Sequence, residues 1–94
     1  MGMSTTQAPR RRGAWEVKAN NTIYLAAHDG TVNARDDTGG SHPAGFTDGS
    51  TPPTTQRYRT TSGAAGGGLS MEVKKGDYWK VDGCSHVYWI PFIP

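Results

Sequence analysis

Cysteine is almost missing: Cys84 stands alone in 94 residues, so no disulfide can close within one chain and no cysteine cluster can hold a metal. Long apolar runs are missing as well. No stretch approaches the roughly 20 apolar residues of a membrane helix, and the first residues lack the apolar centre of a secretion signal. The sequence thus predicts synthesis in a cytoplasm and no membrane insertion. Neither sign of charge dominates: 10 Lys and Arg face 8 Asp and Glu, for a net +2, too little to imply a nucleic-acid partner unless the positive residues cluster. Helical periodicity is absent, because Gly or Pro interrupts every 3.6-residue pattern between Trp15 and Phe92 before it completes two turns. No fixed-period repeat occurs, which excludes solenoids and propellers. Only 34% of the residues are hydrophobic, many of them alanine, and a domain this small has little margin for an independent core.

What is present is strand alternation, clearest in residues 69–92. Leu69, Met71 and Val73 alternate with Ser70, Glu72 and Lys74, giving one apolar and one polar face. Trp79 and Val81 then alternate with Tyr78, Lys80 and Asp82. A bulged hairpin through Gly76 would pair Met71 with Trp79 and Leu69 with Val81, keeping both apolar sets on one face. The run from His86 to Phe92 is apolar on both faces, as in a strand lying between two layers or against another subunit. Pro91 cannot donate to a ladder, so a central strand is expected to end near Ile90.

Residues 1–13 are polar and aperiodic, and are read as an arm or linker preceding a single β domain over residues 14–94. Trp15 to Ala19 reads as a strand, Asn20-Asn21 as a turn, and Thr22 to Ala27 as a second strand with Ile23, Leu25 and Ala27 on one side. Asp29-Gly30 is a strong two-residue hairpin signal, pairing Ala27 with Val32 and Leu25 with Ala34. The same test on Asn20-Asn21 leaves Ile23 and Leu25 on the wrong face, so that connection reads either as a hairpin or as a crossing between two sheets. Residues 36–56 form a long loop rich in Gly, Pro, Ser, Thr and Asp, with Phe46 its only large apolar side chain; a loop of that length is disordered or functional. Arg57 to Thr61 reads as a short strand and residues 62–68 as a second flexible connection. The fold class is all-β: a small antiparallel β-sandwich, jelly-roll-like or barrel-like, with roughly six to seven strands and two long polar loops.

Chemistry is sparse. Cys84-Ser85-His86 suggests a thiol and an imidazole, but catalysis needs both in reach and a third group to orient the base, and residues 82–85 look like a turn. His28, His42 and His86 with Asp29, Asp36, Asp37 and Asp48 lack recognisable ligand spacing; a metal on a trimer axis, with one His from each chain, would leave no such spacing. No metal and no cofactor is expected. The glycine run 63–68 lacks the Lys-Ser/Thr ending of a phosphate cradle. Met1-Gly2 with Thr6 matches a myristoylation pattern and Asn20-Asn21-Thr22 a glycosylation sequon, both short enough to recur by chance. Tyr78, Trp79, Tyr88 and Trp89 suit either a sugar-stacking face or a core and subunit interface. Arg10, Arg11 and Arg12 form the only basic cluster, either a docking arm for an anionic surface or a solvated tail.

The hairpin Val73-Lys74-Lys75-Gly76-Asp77, the turn at Asp82-Gly83 and the closing Val87-Tyr88-Trp89-Ile90-Pro91-Phe92 resemble the last strands of small β-sandwich modules in bacteriophage tail fibres and related virion proteins. The likeness covers the last quarter of the chain, and residues 22–34 loosely; the chain lacks the long repetitive shaft of a fibre. The resemblance implies a homotrimeric, non-enzymatic virion component that attaches to a host-surface glycan or protein, with a capsid decoration protein as one alternative and a monomeric carbohydrate-binding module (Trp79, Tyr88, Trp89) as another. On this reading Val87, Tyr88, Trp89, Ile90 and Phe92 form the trimer interface. His42, Phe46 and Asp48 contact the receptor, and Arg10 to Arg12 dock on capsid or another anionic surface. The family shares no catalytic residues.

Overall fold

The computed structural model describes residues 11–37, 42–60 and 67–93. They build nine strands and no helix: β1 (Arg11–Arg12), β2 (Glu16–Lys18), β3 (Tyr24–Leu25), β4 (Gly30–Asp36), β5 (Ala44–Asp48), β6 (Gln56–Arg59), β7 (Gly67–Val73), β8 (Tyr78–Asp82) and β9 (His86–Ile93). These form two antiparallel sheets. In the first, β1 and β2 both lie along β9, β9 pairs with β4, and β4 pairs with β7. In the second the order is β3-β8-β5-β6. The expected all-β sandwich is therefore the fold.

The alternating residues of β7 and β8 do face one interior, but across it. Met71 pairs with Val32 and Leu69 with Ala34, while Trp79 pairs with Thr47 and Tyr24, and Val81 with Gly45. The expected hairpin between β7 and β8 is thus replaced by an arch from one sheet to the other. Gly76 takes the expected left-handed conformation, at φ 90°. Its N–H donates to Ala26 O at 2.8 Å, the Lys75 N–H donates to Asp29 Oδ1 at 2.7 Å, and Asp77 N donates to Lys74 O at 3.0 Å. These bonds tie the corner to the second layer, which satisfies backbone groups that a hairpin ladder would otherwise use.

The Asp29-Gly30 hairpin is corrected for a related reason. β3 pairs with β8 and β4 with β7 and β9, so Leu25 lies opposite Tyr78 rather than Ala34. The face of this stretch is also inverted: Ala26 is buried and Tyr24 packs on the core, whereas Ile23, Leu25 and Ala27 face solvent. Gly30 serves space rather than turning. A Cβ there would lie 2.5 Å from the Trp89 ring, so its bare backbone is where that indole rests. At Asn20-Asn21 the chain crosses between sheets, from β2 to β3. Asn21 sits at φ 56° and donates its N–H to Val81 O at 2.8 Å, while Asn20 Oδ1 accepts from Cys84 N at 3.0 Å.

Residues 36–56 are not one loop, because β5 runs through them as an inner strand between β8 and β6. Its inward positions are Gly45, opposite Val81, and Thr47, opposite Trp79. The missing side chain of Gly45 leaves room for Met71, whose Sδ would be 2.7 Å from a Cβ. Buried Thr47 donates its hydroxyl to Tyr78 O at 2.8 Å, which removes the cost of an unpaired polar group. Between the sheets Trp79 and Trp89 stack with ring centroids 5.7 Å apart, and Tyr24 leans on Trp79 at 4.8 Å. Val32, Ala34, Leu69, Val73, Val81 and Val87 complete the core.

β9 is central, as one reading of its two apolar faces required, and it runs on through Pro91 to Ile93 rather than ending near Ile90. Pro91 is accommodated because its carbonyl still accepts from Gly13 N at 2.7 Å, while the next residue, Phe92, donates to Asp29 O on the other side. Among the described residues Arg11 is the first in this sheet, opposite Ile93.

Candidate functional site: an aromatic groove on the outer face of the first sheet

Paired residues on neighbouring strands project to the same side, so Val17, Tyr88, Asn33 and Ser70 form one row across the outer face of the first sheet. Trp15, just before β2, lies on the same side and meets the Tyr88 ring edge-on, with centroids 5.6 Å apart and planes at 70°. Trp15 remains 63% exposed. Beside this pair runs a groove of about 270 Å³, also bounded by Asn33, Arg35, Gly68 and Leu69. Gly68 sits opposite Arg35, and the lack of a side chain there keeps the groove open. At its far end Arg35 Nε donates to Asp37 Oδ1 at 3.0 Å, and Asp37 Oδ2 meets His86 Nε2 at 2.9 Å. The site combines a flat exposed ring, an amide and a guanidinium, which suits stacking against an apolar sugar face with hydrogen bonds to its hydroxyls.

A second hollow, about 380 Å³, lies where β6 and β7 meet. Its lining mixes Arg57 and Lys74 with Glu72 and Asp77, so it favours neither sign of ligand, and Arg57 Nε is already bonded to Thr47 O at 3.1 Å.

The sequence-predicted sites are scattered. Val87 and Trp89 project into the protomer's own core, where they cannot meet another chain; Tyr88 and Phe92 are half-buried on the outer face, and Ile90 is covered. Trp79 and Trp89 are likewise interior, so Tyr88 alone of the proposed sugar-stacking trio is reachable, and Trp15 takes the role of its aromatic partner. His42 lies just before β5 and Asp48 is its last residue, with Phe46 on the outer face under Lys80, whose Nζ is 5.2 Å from the ring centroid. They do not form one receptor-contacting loop. Asp48 is occupied in folding its own turn: its carboxylate accepts from Ser50 N and Oγ, both at 2.8 Å, and from the N–H groups of Thr54 and Thr55 at 2.9 and 2.8 Å. The Ser50 bonds foremost hold its carboxyl well below the ordinary range.

Arg10 lies outside the described residues, and Arg11 is exposed. Arg12 is committed: its guanidinium sits 3.8 Å from the centroid of Phe92, and Nη1 donates to Thr31 Oγ1 at 2.8 Å, which donates onward to Glu72 Oε1 at 3.0 Å. Cys84 and His86 do not form a dyad. The Cys84 thiol is buried against Asp82 O, and burial foremost, with the charges of Asp36 and Asp82, pushes its pKa up to about 11; a protonated thiol is a poor nucleophile. Among the described residues no three His, Cys, Asp or Glu side chains converge to hold a metal.

From sequence alone Trp15 reads only as the start of a strand. The available signal was an exposed-parity aromatic, in register with Val17, beside a segment with apolar side chains on both faces. Comparison of the chain with protein-family models, curated proteins and solved structures finds no match.

Proposed function

We propose that this chain is a non-enzymatic attachment module of a bacteriophage particle, of tail-fibre or spike type, that binds host-surface glycan through the Trp15–Tyr88 groove. The observation that carries the reading is the exposed indole of Trp15 held edge-on to Tyr88 beside Asn33 and Arg35. Solvent-exposed Trp is costly to leave uncovered and is enriched where partners bind. The resemblance of residues 69–92 to virion modules supplies the particle context, and an antiparallel sandwich is a rigid base for such a face. The capsid-decoration alternative has less support, since Arg12 is spent on Phe92 and Thr31.

Binding to a glycan array and to intact bacterial cells, compared between the native chain and Trp15→Ala, tests the proposal. Because Trp79 and Trp89 are buried, a ligand-induced change in tryptophan fluorescence would report Trp15. Retained binding in Trp15→Ala and Tyr88→Ala, or no binding to any glycan or cell, would reject it.

A further inference from the structure

Among the described residues, four of the five large hydrophobic side chains that remain exposed, Trp15, Val17, Ile23 and Leu25, fall in residues 15–25. They occupy one side of the sandwich. β6 and β7 touch at the opposite side, which leaves β2 and β3 as the neighbouring edges here. β2 pairs with β9 along one side, and among the described residues no strand lies along the other. Val17, at its centre, is 80% exposed. Such an edge invites another strand.

Charge order on β2 indicates which strand fits. Glu16 and Lys18 flank Val17, and they already meet at 3.3 Å within the chain. An antiparallel two-fold pairing centred on Val17 sets Glu16 opposite Lys18 of the partner subunit, twice, with the two Val17 side chains meeting at the axis. The β6 edge of the second sheet lacks this property: on Gln56–Arg59, a two-fold centred on Tyr58 would set Arg57 against Arg59, and like charges directly opposite repel.

We propose that two copies of this chain associate through their β2 edges, antiparallel about a two-fold axis at Val17. The first sheets then join into one continuous sheet, with Ile23 and Leu25 of the second layer shielded beside the seam. Both Trp15–Tyr88 grooves open on the same face of that sheet, an arrangement that raises avidity for a repetitive surface. The pairing does not depend on what the groove binds.

Charge-swapped variants test it by light scattering over a concentration series up to the solubility limit. The native chain is expected to approach twice its 10.1 kDa. Glu16→Lys sets lysines opposite each other and Lys18→Glu sets glutamates opposite each other, so each should weaken self-association about tenfold or more, with unchanged circular dichroism showing that the fold is kept. Mixed in equal amounts, the two variants regain complementary charges and should form a heterodimer at least as tight as the native dimer. A native chain that stays monomeric throughout, or variants that fail to associate when mixed, would overturn the proposal.

Discussion

Replacing Gly30 by alanine isolates the contact on which the two layers close. The added Cβ would lie 2.5 and 2.7 Å from Cη2 and Cζ2 of Trp89 and 2.9 Å from Ile90 O. Neither neighbour can retreat easily, because the indole is buried and stacked on Trp79 at 5.7 Å and the carbonyl belongs to a central strand. Overpacking of a close-packed core costs about 1–3 kcal/mol. With three approaches below 3 Å, the upper figure applies. For a domain of this size about 3 kcal/mol lowers Tm by about 12–24 °C, a large share of a total stability of about 5–15 kcal/mol. Thermal and urea unfolding followed by near-ultraviolet circular dichroism measures the loss. The cause is checked in the Trp89→Phe background, where the two clashing ring atoms are gone and only the Ile90 O approach remains: there Gly30→Ala should cost at least about 1 kcal/mol less. A drop of only a few degrees, or strict additivity of the two substitutions, would show that Gly30 is not a seat for the indole. Gly76→Ala is the contrasting case, since nothing lies within 4 Å of its Cβ position but φ is +90°; its loss of about 1–2 kcal/mol comes from backbone conformation alone and should not change in the Trp89→Phe background.

Other substitutions probe the groups that the sequence raises as candidates. The native Asp48 carboxyl is held below its ordinary pKa of 3.8, so its stabilisation is complete above about pH 4 and is lost as pH falls below that value. Asp48→Asn should therefore lower Tm at neutral pH, and its deficit relative to the native chain should shrink steadily in acid; a pH-independent deficit would mean the charge is irrelevant. Cys84, with its pKa raised to about 11, should resist a thiol-specific reagent at pH 8 until the chain unfolds and then react at once, whereas rapid labelling of the folded protein would contradict the buried placement. Arg12→Ala should cost about 1 kcal/mol in urea unfolding through its lost contacts to Phe92 and Thr31, and Arg11→Ala less than about 0.5; equal effects would argue against the distinct role of Arg12.

Strand existence over residues 69–93 was readable because alternation at Leu69, Met71, Val73, Trp79 and Val81 allows only one buried face. Partner choice was not. An arch and a hairpin impose the same period of two on both strands, and differ only in whether the two apolar faces lie side by side or opposite each other. β5 was hidden for another reason: its inward positions are Gly45 and Thr47, and its one large side chain, Phe46, points outward under Lys80. By pattern it reads as a loop. The groove escaped because its walls come from Trp15, Asn33 and Tyr88, on three separate segments that only the β2-β9-β4 order brings together.

Glycine has a second use here. At Asp29-Gly30 it signals a turn, and in residues 36–56 it is one of several loop-forming residue types, yet neither Gly30 nor Gly45 has a positive φ. Each instead faces a large side chain, Trp89 in one case and Met71 in the other. A core with few apolar residues can still be close-packed if its bulky members are matched by gaps of their own shape. In this sandwich the gaps are written as glycines in β4 and β5. Methionine is the more adaptable of the two occupants, so Gly45→Ala should be milder than Gly30→Ala, and the difference between them measures how rigidly the indole, rather than the thioether, sets the spacing of the layers.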